Sequence, residues 1–126
     1  MRLLLDTNAV IWWLGRATRL GNAARRTIGA ADQVLVSPVT GYEINYKRTI
    51  GKLDAPDDLE TQIVRHGFEV LPLSFRHAVE AGDLPLHHRD PFDRLLVAQA
   101  RCEGLTFVTA DRQLDAYGVP ILDATS

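Results

Sequence analysis

The chain has 126 residues, is 46% apolar and 24% charged, and carries a formal net charge of −2. That length fits one domain, and the composition fits an ordinary globule burying roughly two-thirds of its unfolded surface, which excludes a disordered or fibrous chain. The charge speaks against a protein that simply coats nucleic acid, although arginine, the planar bidentate phosphate binder, supplies 12 of the 14 basic residues.

The apolar run Leu3-Leu4-Leu5 predicts a short strand buried on both faces, ended by Asp6-Thr7-Asn8. Ala9–Leu14 predicts a helix closed by Gly15. Arg16–Leu20 reads as a loop, Asn22–Ala31 as a helix and Gln33–Val36 as a second strand. Ser37-Pro38 opens a helix over Val39–Ile50, with serine as cap and proline in the first turn. Val39, Tyr42, Glu43, Tyr46 and Ile50 share one face of it at helical spacing. Asp54-Ala55-Pro56 opens a helix reaching about His66, and Phe68–Leu71 is a third strand stopped by Pro72. Ser74 caps a short helix through Ala81, and Gly82–Arg89 is a loop. Asp90-Pro91 starts a helix over Phe92–Glu103, followed by Gly104. Leu105–Val108 is a fourth strand, Arg112–Ala116 a short helix, and Val119–Leu122 a last strand. Strands alternating with helices predict a three-layer α/β/α fold with a central parallel sheet over residues 1–126. Right-handed crossovers put every strand's carboxyl end on one edge, where open α/β sheets bind ligands.

Cys102 is the only cysteine, so no intrachain disulfide forms and a reducing compartment is expected. Asp6 and Asn8 interrupt any signal-peptide core, and no apolar run approaches the ~18 residues of a membrane span. The expectation is a cytoplasmic protein with no membrane attachment. Trp12 and Trp13 are neighbours about 100° apart on one helix, so one of them is expected at the surface, more as a protein interface than as a base-stacking ring. Cys102 is expected in the core.

Two strands end in acid at that edge, Leu5-Asp6-Thr7 and Val108-Thr109-Ala110-Asp111. Glu43 follows the second strand by about two helical turns, and Asp93 lies in the first turn of the helix leading into the fourth. All four converge if strands one, two and four are central. Each also has a purely structural reading. Asp6 or Thr7 could cap a helix, Glu43 and Lys47 have the i, i+4 spacing of a surface ion pair, Asp90 and Asp93 resemble a capping box, and Asp111 could cap the short last helix. Two carboxylates ~6 Å apart repel by roughly 3 kcal/mol at an effective dielectric near 20. Six such pairs rival the roughly 5–15 kcal/mol net stability of a domain, so the cluster must take up protons, recruit arginine or bind a cation. All-oxygen ligands suit Mg²⁺ or Mn²⁺ better than Zn²⁺, and such a site suits phosphoryl chemistry.

Leu3-Leu4-Leu5-Asp6-Thr7-Asn8, Tyr42-Glu43-Ile44, the long segment His88 to Ala100 and Val108-Thr109-Ala110-Asp111-Arg112, in this order and spacing, resemble the PIN domain and within it the VapC-like toxin ribonucleases of bacterial toxin–antitoxin pairs. Leu84-Pro85 and Tyr117-Gly118-Val119 also fit, and the likeness covers nearly the whole chain. The resemblance implies Mg²⁺-dependent endonucleolytic cleavage of RNA, with Mn²⁺ able to substitute. It makes Asp6, Glu43, Asp93 and Asp111 the catalytic acids, with Asp6, Asp93 and Asp111 as metal ligands. Thr7 or Asn8, Thr109 and Asp90 become supporting residues. It implies attack by a metal-activated water on the phosphate, with loss of the 3′ oxygen, and no histidine base; His87 and His88 fall in a loop and are not expected as ligands. Arg16, Arg19, Lys47 and Arg48 are candidate RNA contacts, or else a solvated helix surface. The implied partners are RNA, a small VapB-like antitoxin and a second copy of the chain. One departure is Thr40-Gly41-Tyr42-Glu43-Ile44-Asn45-Tyr46-Lys47, less apolar than the family's stretch, where Gly41 costs the helix about 1 kcal/mol against alanine.

Three rivals are weaker. A haloacid-dehalogenase-type phosphatase wants an aspartate where Asn8 stands. A phosphoacceptor receiver domain wants an acidic pair after the first strand. A non-catalytic binding protein of the same fold would have no need of all four acids.

Overall fold

The computed structural model describes residues 1–126. Its strands are β1 (Arg2–Leu5), β2 (Gln33–Val36), β3 (Glu69–Val70), β4 (Thr106–Thr109) and β5 (Ile121–Asp123), all paired in parallel in the order β3-β2-β1-β4-β5. The helices are α1 (Thr7–Leu14), α2 (Asn22–Ala30), α3 (Pro38–Thr49), α4 (Leu59–Arg65), α5 (Phe75–Asp83) and α6 (Pro91–Glu103), with a 3₁₀ helix at Arg112–Tyr117. β2, β1 and β4 are the three inner strands, so the first, second and fourth strands lie centrally as the acids require.

The period of two along each strand divides the core. Leu3 and Leu5 face one layer with Val34, Val36 and Val108, against Val10 and Trp12 of α1, Ile28 of α2 and Ile63 of α4. Leu4 faces the other with Leu35 and Phe107, against Leu96, Val97 and Ala100 of α6 and Ala81 of α5. Leu3, Leu4, Leu5 and Phe107 are fully buried, each contributing about 1.5–3 kcal/mol by leaving water. Val39 belongs to the second layer and Ile44 to the first, so α3 crosses over the carboxyl edge of the sheet. That crossing carries Glu43 across the edge where β1 and β4 end.

The structure moves several predicted features. α4 begins at Leu59, not near Asp54, and Leu53–Pro56 has no regular structure; Pro56 disfavours a helical Ala55. β3 is only two residues long and both are exposed, as suits an edge. β5 begins after Pro120, which cannot donate to the ladder but accepts from the Phe107 N–H at 2.8 Å. On α3 the buried residues are Val39, Thr40 and Ile44, whereas Tyr42, Tyr46 and Ile50 are exposed. Trp12 is buried, and Trp13 is not a free surface ring: it packs on Phe68 at 5.4 Å and its indole N–H donates to His66 Nδ1 at 3.1 Å. Cys102 is half-buried and its thiol donates to Glu80 at 2.9 Å. No helix is long and apolar enough to cross a membrane.

Candidate active site

Asp6 leaves β1 with its backbone N–H on the Val108 carbonyl at 3.0 Å, which sets it beside β4. Its Oδ1 accepts the Ala9 N–H at 2.7 Å, so Asp6 does cap α1. The side chain is almost completely buried. Thr7 donates its hydroxyl proton to Glu43 Oε1 at 2.7 Å, and the Thr40 hydroxyl lies 3.1 Å from the same oxygen of Thr7. With its one proton spent on the carboxylate, Thr7 accepts from Thr40. The other Glu43 oxygen lies 3.4 Å from Lys47 Nζ. Glu43 thus makes the ordinary i, i+4 pair with one oxygen while Thr7 aligns the other. Asn8 is exposed, so of the two candidate small polar residues it is Thr7 that touches the acids.

Asp90 caps α6, accepting the Phe92 N–H at 2.8 Å and the Asp93 N–H at 3.3 Å. Thr109 is fully buried at the end of β4 and its hydroxyl accepts the Asp111 N–H at 3.1 Å. Asp111 Oδ1 caps the 3₁₀ helix through the Gln113 N–H at 3.0 Å, leaving Oδ2 for the site. All four acids therefore arrive at one rim.

Their titration reflects the crowding. Burial pushes the Asp6 carboxyl up to about 6; the Ala9 N–H and the Thr109 hydroxyl oppose this, and the charges of Glu43 and Asp111 reinforce it. Burial likewise pushes Asp93 up to about 7, reinforced by Asp90, opposed by His88, and reinforced again by Asp6 and Glu43. Desolvation thus outweighs mutual repulsion in both carboxyls.

His88 is the residue that sequence reasoning missed. Its Nε2 lies 3.0 Å from Asp111 Oδ2 and 3.5 Å from Asp93 Oδ2. Its Nδ1 accepts the Asp90 N–H at 3.1 Å, so the ring proton sits on Nε2 and is donated to Asp111 Oδ2. The available signal was a histidine two residues before a helix cap that is itself three residues before a site acid. His87 instead packs against Tyr117.

The donor set fits a hard divalent cation. The oxygens are the ligands: Asp93 and Asp111 bring carboxylate oxygens within 4.8 Å of each other and of the His88 ring, and Asp6 brings a buried carboxylate. The basic candidates divide. Lys47 lies on Glu43, while Arg48 is held away by Asp57 at 2.6 Å and the Pro56 carbonyl at 3.1 Å. Arg16 and Arg19 follow the far end of α1, about 12 Å along its axis from Asp6, and Arg19 stacks over Trp12 at 4.7 Å.

A PIN domain family model matches residues 3–120. The chain belongs to the PIN domain family. This PIN domain is 26% identical over 121 residues to Ribonuclease VapC22 of Mycobacterium tuberculosis (strain ATCC 25618 / H37Rv), covering 94% of the chain and 93% of that relative. Its fold is similar to that of VapBC2 from Rickettsia felis bound to a DNA fragment from its promoter, with a TM-score of 0.73, 14% identity and 98% of both chains covered. It is also similar to FitAcB from Neisseria gonorrhoeae, with a TM-score of 0.67, 19% identity and 97% of both chains covered. The five-stranded parallel sheet between helical layers is the PIN-like α/β fold.

Proposed function

We propose that this PIN domain is a VapC-type endoribonuclease dependent on Mg²⁺ or Mn²⁺, the toxin of a type II toxin–antitoxin pair acting in the cytoplasm. The observation that carries the reading is the meeting of buried Asp6 with half-buried Glu43, Asp93 and Asp111 at one rim. The likeness to Ribonuclease VapC22 over nearly the full length supports the substrate class. The solved relatives described as VapBC complexes support a VapB-like partner.

In this reading Asp6, Asp93 and Asp111 hold the metal, and Glu43, aligned by Thr7, orients water at the scissile phosphate. A divalent ion held there supplies Lewis-acid polarisation of the phosphate and an acidified water. Thr109 shapes the Asp6 and Asp111 poses, and Asp90 fixes Asp93 at the start of α6, whose positive end favours anions. Lys47, beside Glu43, is the nearest of the proposed cationic contacts for an RNA phosphate. Arg16, Arg19 and Arg48 could meet only more distant phosphates. The active species is proposed as a homodimer.

Labelled single-stranded RNA incubated with the purified chain should be cleaved internally with Mg²⁺ and spared in chelator. Asp93→Ala should reduce cleavage by roughly 10³-fold or more while the circular dichroism spectrum stays that of the wild type. Cleavage that survives in chelator, or in a folded Asp93→Ala protein, rejects the mechanism.

A further inference from the structure

Arg94 is 9% exposed and forms no ion pair. Its guanidinium instead donates to four main backbone carbonyls: Leu84 at 2.7 Å, Ala81 and Pro85 at 2.9 Å, and His88 at 3.1 Å. A buried charge is costly unless its hydrogen bonds are made, and the planar fork makes them all at once. All four acceptors lie in the last turn of α5 or beyond it, in the stretch that leads to His88. Tyr117 completes the clamp from the 3₁₀ helix. Its hydroxyl donates to the Pro85 carbonyl at 2.9 Å and accepts the His88 N–H at 2.8 Å.

His88 is therefore held at both backbone polar atoms and at Nδ1, which leaves one free direction for Nε2–H, toward Asp111 and Asp93. A neutral N–H suits this place physically. It satisfies Asp111 Oδ2 and faces Asp93 Oδ2 without adding the full charge by which a lysine or arginine would compete with a cation. We propose that Arg94 and Tyr117 are positioning residues for the acidic site, acting through His88 to hold Asp93 and Asp111 at a separation a divalent ion can use. The inference rests on the metal-dependent reading above.

The test is Mn²⁺ binding to the full chain without RNA, followed by the electron paramagnetic resonance signal of free Mn²⁺, at a temperature where each variant is folded. Tyr117→Phe and Arg94→Lys should each weaken Mn²⁺ binding about tenfold, as should His88→Ala. The double variant Tyr117→Phe/His88→Ala should bind no more weakly than His88→Ala alone, because the tyrosine acts through the histidine. A purely architectural clamp would lower the melting temperature and leave Mn²⁺ affinity unchanged. Folded Tyr117→Phe that binds Mn²⁺ as the wild type does, or losses that add in the double variant, overturn the inference while the nuclease reading stands. Wild-type protein that binds no Mn²⁺ overturns both. If Arg94→Lys does not fold, Tyr117→Phe decides.

Discussion

The Asp6 carboxylate gives Oδ1 to the Ala9 N–H, so one side chain both starts α1 and brings negative charge to the rim. Asparagine caps a helix as well as aspartate does. Asp6→Asn therefore removes the buried charge and keeps the cap. With a folded pKa of about 6 against 3.8 unperturbed, ionised Asp6 costs the metal-free fold about 1–3 kcal/mol at pH 8. In chelator at that pH, Asp6→Asn should melt about 3–8 °C higher than the wild type, and added Mg²⁺ should stabilise it less. A lower melting temperature with an equal Mg²⁺ response would show that Asp6 does not belong to a charge cluster. Glu43 shows the same division of labour. Its bond to Lys47 is the ordinary helix pair, and only the bond to Thr7 ties it to the site.

The helix start at Asp90 and Pro91 is the element on which Asp93 depends. Asp90 caps through two backbone N–H groups and also presses a like charge on Asp93. These effects separate by substitution. Asp90→Asn retains the cap and lifts the repulsion, so the Asp93 pKa should fall below about 7 with little change in melting temperature. Asp90→Ala also loses the cap, at about 1 kcal/mol, and should melt several degrees lower. Carboxyl-selective nuclear magnetic resonance titration reads the first effect and calorimetry the second. An unmoved Asp93 titration in Asp90→Asn would leave the cause to burial and to the charges of Asp6 and Glu43. On α3, Gly41 has nothing within 4 Å of where a Cβ would stand, so its cost serves no packing need, and the helix nevertheless runs unbroken from Pro38 to Thr49.

At the scale of the molecule, the raised carboxylates make stability depend on pH. Between about pH 4 and 7 the native state binds more protons at Asp6 and Asp93 than the unfolded chain does. Stability in chelator should therefore fall as pH rises through that window, with the full penalty reached above pH 7. A divalent cation reverses the trend by binding the ionised native form, adding about 2.7 kcal/mol at a hundredfold excess over its dissociation constant. Melting curves from pH 4 to 8 should show a Mg²⁺ increment that grows with pH. An increment independent of pH would mean that the cation binds elsewhere.

The local signals in the chain were sufficient for the order of strands and helices. Apolar runs, Ser37-Pro38, Asp90-Pro91 and the glycines after helices act within a few residues, and the elements they predict are those observed, apart from the start of α4, the end of α5, which runs on to Asp83, and shifts of one or two residues at the ends of β3, β4 and β5. Acid after two strands and a rule of right-handed crossovers were enough to bring Asp6 and Asp111 to one edge. Three things waited for the tertiary structure because each depends on groups distant in the chain. The crossing of α3 between two core layers turns Glu43 inward and leaves Tyr42 and Tyr46 outside. Burial, which no residue possesses alone, rather than charge count, leads the shifts of Asp6 and Asp93. The aim of His88 is set by Arg94 and by Tyr117, 29 residues away, through backbone atoms that every residue carries and no sequence pattern distinguishes.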